Sequence, residues 1–103
     1  GVLDLIPTGV PYYITIDIDG FDPSIAPGTG TPSHGGFLYY EILEIIQLLA
    51  KRSQGNIVGM DLVEVAPAYD PTGMTSILAA QLLLNSIGFI FHERAQARTA
   101  QGA

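Results

Sequence analysis

Three acids fall within one short stretch, YYITIDIDGFDP, at Asp17, Asp19 and Asp22. The first two end an apolar, β-branched run, where a buried strand meets a turn. Side chains alternate along a strand, so the i, i+2 spacing turns Asp17 and Asp19 to one face and Ile16 and Ile18 to the other. Two carboxylates about 7 Å apart by the strand rise can converge on one cation or on a pair of them. Left unpaired, two like charges so close repel each other. A turn with solvated acids is the plain alternative for any lone D-x-D, and placement after an apolar strand favours metal ligation. Asp22 precedes Pro23. Asp before Pro starts turns by accepting backbone N–H groups, so Asp22 is expected to be structural.

A second acidic strand end follows at DLVEV, Asp61 to Val65. An acid among valines is costly to bury without a cation or donors. Asp61 reads as a local anchor, and Glu64 as a group entering the same crevice as the aspartate pair. If the two strands are neighbours, three carboxylates converge. His34 reads as an exposed loop residue that could line a pocket, and His92 as a surface residue favoured by the dipole of a helix C-terminus. Gly28-Thr29-Gly30 lacks the lysine and the helix start of a phosphate loop. An EF-hand fits no better, because the glycine falls too early and the last glutamate is missing.

These acids need a scaffold that brings strand ends together. Residues 12–18 read as a strand, and the Pro- and Gly-rich residues 20–36 as a long loop. Apolar residues at 38, 42, 45, 46 and 49 give the helical period from Phe37 to about Arg52, with Lys51 and Arg52 favourable in its last turn. Asn56 to Val65 reads as a second strand, and a second helix is predicted from about Thr75 to Glu93. The small, polar tail RAQARTAQGA is expected to fray. Two strands joined through a helix lie parallel with a right-handed crossover. Both are apolar over most of their length, as in a sheet covered on two faces. Open α/β sheets bind ligands at the carboxyl ends of their strands, where the acids lie. Two strands alone leave open edges, so the chain reads as part of a larger α/β sheet. A first residue of Gly, not Met, agrees with a fragment.

The chain has 103 residues, ten acidic and four basic, with a formal charge of −6. Nucleic acid fits such a balance poorly as a partner, since phosphate binding needs clustered Lys and Arg; a metal or organic cation suits it better. With no cysteine, disulfides and thiolate metal sites are excluded, which fits a cytoplasmic protein. No signal peptide is read at the start. The most apolar stretch, Ile77 to Phe91, contains Gln81, Asn85 and Ser86 and is expected to be a buried helix, short of the roughly 18 apolar residues of a membrane span.

The stretch TIDIDGFDPSIAPGTGTPSHGG, Thr15 to Gly36, resembles a signature of the ureohydrolase family of arginases and agmatinases. GMDLVEVAPAYD, Gly59 to Asp70, resembles the family's next block, and the similarity covers nearly the whole chain. The resemblance implies an arginase-like three-layer α/β/α fold on a parallel sheet, of which this chain is the C-terminal β-α-β-α portion. Residues 1–103 would then form the C-terminal part of a single catalytic domain. It also implies two Mn²⁺ ions, with Asp17 bridging both and Asp19 binding one. Glu64 would face a substrate guanidinium, and Thr31 would lie near the substrate. The reaction implied is hydrolysis of a guanidino compound to urea and an amine. Hard carboxylate oxygen suits manganese, and two such ions activate a shared water near neutral pH. The family's Gly-Gly-Asp-His and Asp-Ala-His-x-Asp stretches do not occur here, so the chain supplies part of the metal site, and no catalytic residue is assigned within it. Ala26-Pro27-Gly28-Thr29-Gly30 leans toward agmatinase-like members, which implies agmatine or a related guanidino amine or acid as substrate, and a homo-oligomer for the full-length protein. Two other readings stay open. A haloacid-dehalogenase-like phosphatase would use the D-x-D pair as nucleophile and acid/base, although Phe21 stands where that family has Thr or Val. An inactive interaction module would keep the fold without the chemistry.

Overall fold

The computed structural model describes residues 1–102. Two parallel strands, β1 (Tyr12–Asp17) and β2 (Ile57–Val63), are joined through helix α1 (Tyr39–Arg52), and helix α2 (Met74–Gly102) follows β2. Short 3-10 turns lie at Val2–Leu5, Ile18–Gly20 and Pro67–Tyr69. Thr15 pairs with Asp61, Ile16 with Leu62 and Asp17 with Val63, so the two acidic strand ends are neighbours.

The alternation in β1 decides the packing. Tyr12, Ile14 and Ile16 are buried, and they join Ile18, Phe21, Ile46, Ala50, Ile57, Leu78, Leu82 and Ile90 in one core. The two helices pack together on this face. Asn85 of α2 donates to the Tyr39 hydroxyl of α1 at 2.7 Å, a polar tie at the edge of their contact. The opposite face carries Tyr13, Thr15 and Asp17, all exposed. Among the described residues the helices cover one face of the sheet, and the second face that near-continuous apolar strands suggested is left for the rest of the fold. The runs look continuous because β-branched Thr15 belongs to the strand while turning its hydroxyl outward.

Polar side chains tie the open face together. Asp61 accepts from Thr15 Oγ1 at 2.6 Å and from the Tyr13 hydroxyl at 2.8 Å, so it anchors β2 to β1 as expected. The Tyr13 ring lies over Gly59, where a Cβ would come within 2.7 Å of the ring. These hydrogen bonds, Thr15 first, hold the Asp61 carboxyl below the usual carboxylate range. The same bond, from the other side, raises the Tyr13 phenol.

The tail differs from the sequence expectation. α2 does not fray after Glu93 but continues to Gly102; Ala103 lies outside the described residues. Ala95, Ala97, Ala100, Arg98 and Gln101 are strong helix formers, and their small, polar character misled only about burial. Arg94 secures the extension, donating to the carbonyls of Gly55 at 2.8 Å and Ile57 at 2.6 Å. His92 therefore sits inside the helix and not at its C-terminus, and the dipole reading of it falls. The longer helix also changes the membrane expectation. By length and composition alone, Met74–Gln101 is apolar enough to cross a bilayer, with mean hydropathy 1.7 over its best window. One face of it nevertheless packs into the core through Leu78, Leu82 and Ile90, and Thr75 and Ser86 are buried there with hydrogen-bond partners.

Candidate metal and substrate site

β1 ends at Asp17 and the chain turns at once into the 3-10 segment Ile18–Gly20. Asp17 starts that turn: its Oδ1 accepts the Asp19 N–H at 3.1 Å. Strand alternation thus holds for Asp17 but not for Asp19, which is carried by the turn. Ile18, fully buried, locks the turn into the core and leaves both aspartates at the carboxyl edge of the sheet. Asp17 is exposed and Asp19 half-buried.

Asp19 Oδ2 accepts from the Thr31 hydroxyl at 2.7 Å. This bond brings the loop after β1 back to its own start. The loop is closed further by Phe21 and Phe37, which bridge through Asp22 N–H to Phe37 at 2.9 Å and Phe37 N–H to Gly20 at 3.0 Å. Asp22 sits at this closure. Its carboxylate accepts from the Ser24 N–H at 3.0 Å, the Ser24 hydroxyl and the Gly35 N–H at 3.2 Å. Those bonds, Ser24 foremost, hold its carboxyl low. Asp22 is structural, as its place before proline suggested. His34 is exposed and lines, with Asp19, Ser33 and Glu41, an open hollow of ≈ 390 Å³ beside the aspartates.

Glu64 leaves β2 directly after Val63, the residue paired with Asp17, and it is exposed. Its backbone lies in the left-handed region, φ 72°. A side chain with a Cβ pays about 1–2 kcal/mol there, and such residues gather at functional sites. Asp17, Asp19 and Glu64 thus share one sheet edge but do not form a metal cage. Among the described residues, no group of three or more His, Asp or Glu side chains could hold an ion. Adjacent strand ends bring the backbones together, while the turn at Asp19 and the left-handed Glu64 redirect the side chains.

Does the pair itself suit a divalent cation? Among the described residues the ion pairs are those of Asp4 with the N-terminus and with Arg52, at the other end of the sheet from Asp17 and Asp19. Each aspartate has one oxygen in a neutral hydrogen bond and the other with no protein hydrogen bond. Two adjacent hard-oxygen anions with no ion pair to either among the described residues fit manganese as a ligand set, though not as a complete one.

Behind the loop lies a network that sequence reasoning missed. Asp70, only 5% exposed, accepts from Thr75 N–H at 2.8 Å, Thr75 Oγ1 at 2.7 Å, Thr72 N–H at 3.2 Å and Thr72 Oγ1 at 2.5 Å. Thr75 Oγ1 in turn accepts the Gly28 N–H at 2.8 Å, and the Gly28 carbonyl accepts the Ala66 N–H at 2.7 Å. The donors, Thr72 first, lower the Asp70 carboxyl to about 2. The signal was present as D-x-T-x-x-T ahead of an apolar helix, a capping pattern.

Residues 2–88 match the model of the arginase family. A guanidinobutyrase of Pseudomonas aeruginosa is 53% identical over 76 residues, which cover 73% of this chain and 23% of that protein. An agmatinase of Halalkalibacterium halodurans is 54% identical over 75 residues, 73% of this chain and 26% of its own length. The crystal structure of a hypothetical agmatinase from Burkholderia thailandensis superimposes with a TM-score of 0.76 at 42% identity, over 85% of this chain and 27% of that one. An arginase from Bacillus subtilis gives 0.68 at 35% identity, over 76% of this chain and 26% of that one. The chain thus spans about a quarter of the length of the relatives it matches. Its fold is the arginase-like α/β fold, and by sequence and structure the chain belongs to the arginase family.

Proposed function

We propose that the chain is the C-terminal part of one guanidino-hydrolase domain, and that the whole protein converts agmatine or a related guanidino compound to urea and an amine with two manganese ions. The observation that carries this is the Asp17–Asp19 pair: two carboxylates at one strand end, with no ion pair to either among the described residues and a threonine hydroxyl on the second. Relatives named guanidinobutyrase and agmatinase, each just over half identical, support a guanidino substrate over other cations. The hydroxyl of Thr29 is buried without a hydrogen-bond partner among the described residues, which suits a loop completed by further protein.

Asp17 and Asp19 would hold the manganese ions together with ligands from outside this chain. When bound, the ions supply a nucleophilic water near neutral pH and so relieve the guanidinium carbon of its resistance to hydrolysis. The chain's own residues do the rest. Thr31 fixes one oxygen of Asp19, leaving the other free to ligate. Asp17 Oδ1, held on the Asp19 N–H, keeps the first carboxylate at the turn and leaves its other oxygen free to ligate. Glu64, anionic at the same edge, orients the planar substrate cation and offsets its charge as the carbon becomes tetrahedral. Water adds its oxygen to that carbon, a C–N bond breaks, and the released nitrogen leaves with a proton as the amine.

The phosphatase reading loses ground on geometry. It needs a lysine near the D-x-D pair, and the only lysine, Lys51, is at the end of α1 where the chain enters β2, the opposite end of the sheet. The deciding experiment gives the complete, manganese-loaded enzyme agmatine, guanidinobutyrate, guanidinopropionate and arginine, and measures urea. Release from at least one supports the proposal. No urea from any, with phosphate freed from a monoester, would favour the phosphatase; silence in both assays would favour an interaction module.

A further inference from the structure

We propose that Asp70 and Thr75 are positioning residues for the reaction: through Gly28 they hold the loop that carries Thr31 against the strand end that carries Glu64. This rests on the guanidino-hydrolase reading above. Neither residue faces the sheet edge. Thr75 is fully buried and Asp70 nearly so. The Asp70 carboxylate receives two donors on each oxygen, so it has no free acceptor to offer a metal or a substrate.

A cap for α2 alone would need only the Thr75 N–H, with the Thr72 N–H closing the turn ahead of the helix. What exceeds a cap is the link to Gly28. Thr75 Oγ1 donates to Asp70 and at the same time accepts the Gly28 N–H, so the Asp70 charge fixes the direction in which the hydroxyl points. Gly28 then uses its carbonyl on Ala66, two residues past Glu64. A single residue is thereby tied to the start of α2 on one side and to the exit of β2 on the other. Thr31 is three residues from Gly28, and its hydroxyl is on Asp19. At about 3.3 Å per residue, neither path is long enough to absorb a slip of the knot. The fit leaves no room for a side chain at position 28, where a Cβ would lie 2.9 Å from both Asp70 Cβ and Thr75 Oγ1.

The test is made in the complete manganese-loaded enzyme with Thr75→Val, which keeps the shape and removes the hydroxyl, and Thr75→Ser, which keeps the hydroxyl. Three quantities are read: manganese content, kcat and KM for urea release, and amide hydrogen exchange across residues 28–31. Thr75→Val is expected to retain manganese, to speed exchange in that loop, and to lower kcat/KM roughly 10-fold or more, since small misplacements near reacting groups are costly. Thr75→Ser is expected to stay near wild type in all three. Unchanged exchange and unchanged kcat/KM in Thr75→Val, with only a lower melting temperature, would overturn the proposal; so would equal impairment of the serine variant. If Thr75→Val does not fold, Asp70→Asn is measured in its place: faster loop exchange with lower kcat/KM supports the tether, and no change in either overturns it. A wild-type enzyme that releases no urea would overturn the hydrolase reading itself, and loop exchange in Thr75→Val would still decide whether the tether exists.

Discussion

Glu64 joins two properties that ordinarily exclude each other, an exposed charged side chain and a left-handed backbone. If the charge is kept for a guanidinium, Glu64→Gln in the complete enzyme should leave manganese content nearly intact. It should cut kcat/KM by roughly 10²-fold or more, because a charge-assisted contact in a water-poor crevice is worth a few kcal/mol. Urea release per metal-loaded enzyme checks this, and unchanged turnover would remove Glu64 from the site. Glu64→Gly makes a sharper companion. Glycine adopts this φ without strain, so the melting temperature should hold or rise by a few degrees while activity is lost. A fall in both would show that the glutamate is structural. The aspartates divide in the same way. Asp17→Asn should lose manganese and activity together, since a neutral amide bridges two cations poorly. Asp22→Asn should mainly loosen the loop, because its bonds go to Ser24 and Gly35; elemental analysis of the two variants separates the roles. The structural role of Asp22 and the place of Asp17 at a strand end were legible in the sequence, because proline after Asp22 and an apolar run before Asp17 state their own physics. The left-handed Glu64 was not, for nothing in its type announces a positive φ.

At the scale of elements, strand, loop, helix, strand, loop and helix all follow the periodicities, and parallel pairing follows from the helical connection. The knot behind the loop was hidden because it joins residues 28, 66, 70 and 75, distant positions that only the packed chain brings together. It has a signature in pH. The folded-state pKa of Asp70 is about 2 against an ordinary 3.8, so the carboxylate stabilises the fold fully above about pH 4 and loses that contribution as pH falls toward 2. Asp70→Asn should therefore lower the melting temperature at neutral pH and flatten its fall between those pH values. Parallel melting curves with the same acid slope in both proteins would mean that Asp70 is not the group that titrates. The reach of α2 is hidden for a related reason: a small, polar tail offers little to bury, and the hydrogen bonds of Arg94 that tie it down join residues far apart in sequence.

The described residues carry exposed apolar side chains on the side of α2 turned from the core, Ile77, Leu84 and Phe91 among them, and leave a sheet face and edges without neighbours. These are surfaces that a larger sheet and further helices would cover, in line with a chain that spans about a quarter of its relatives. On the proposed reading, the missing histidine-containing ligand stretches belong to the same picture: the two aspartates would begin a binuclear site without finishing it. The most direct measurement is a calorimetric Mn²⁺ titration of the 103-residue chain beside that of the complete enzyme. The complete enzyme should take up two ions stoichiometrically, and this chain alone should bind manganese only weakly. Stoichiometric, submicromolar binding by the isolated chain would contradict a shared site, and no binding by the complete enzyme would contradict a metal site at Asp17 and Asp19.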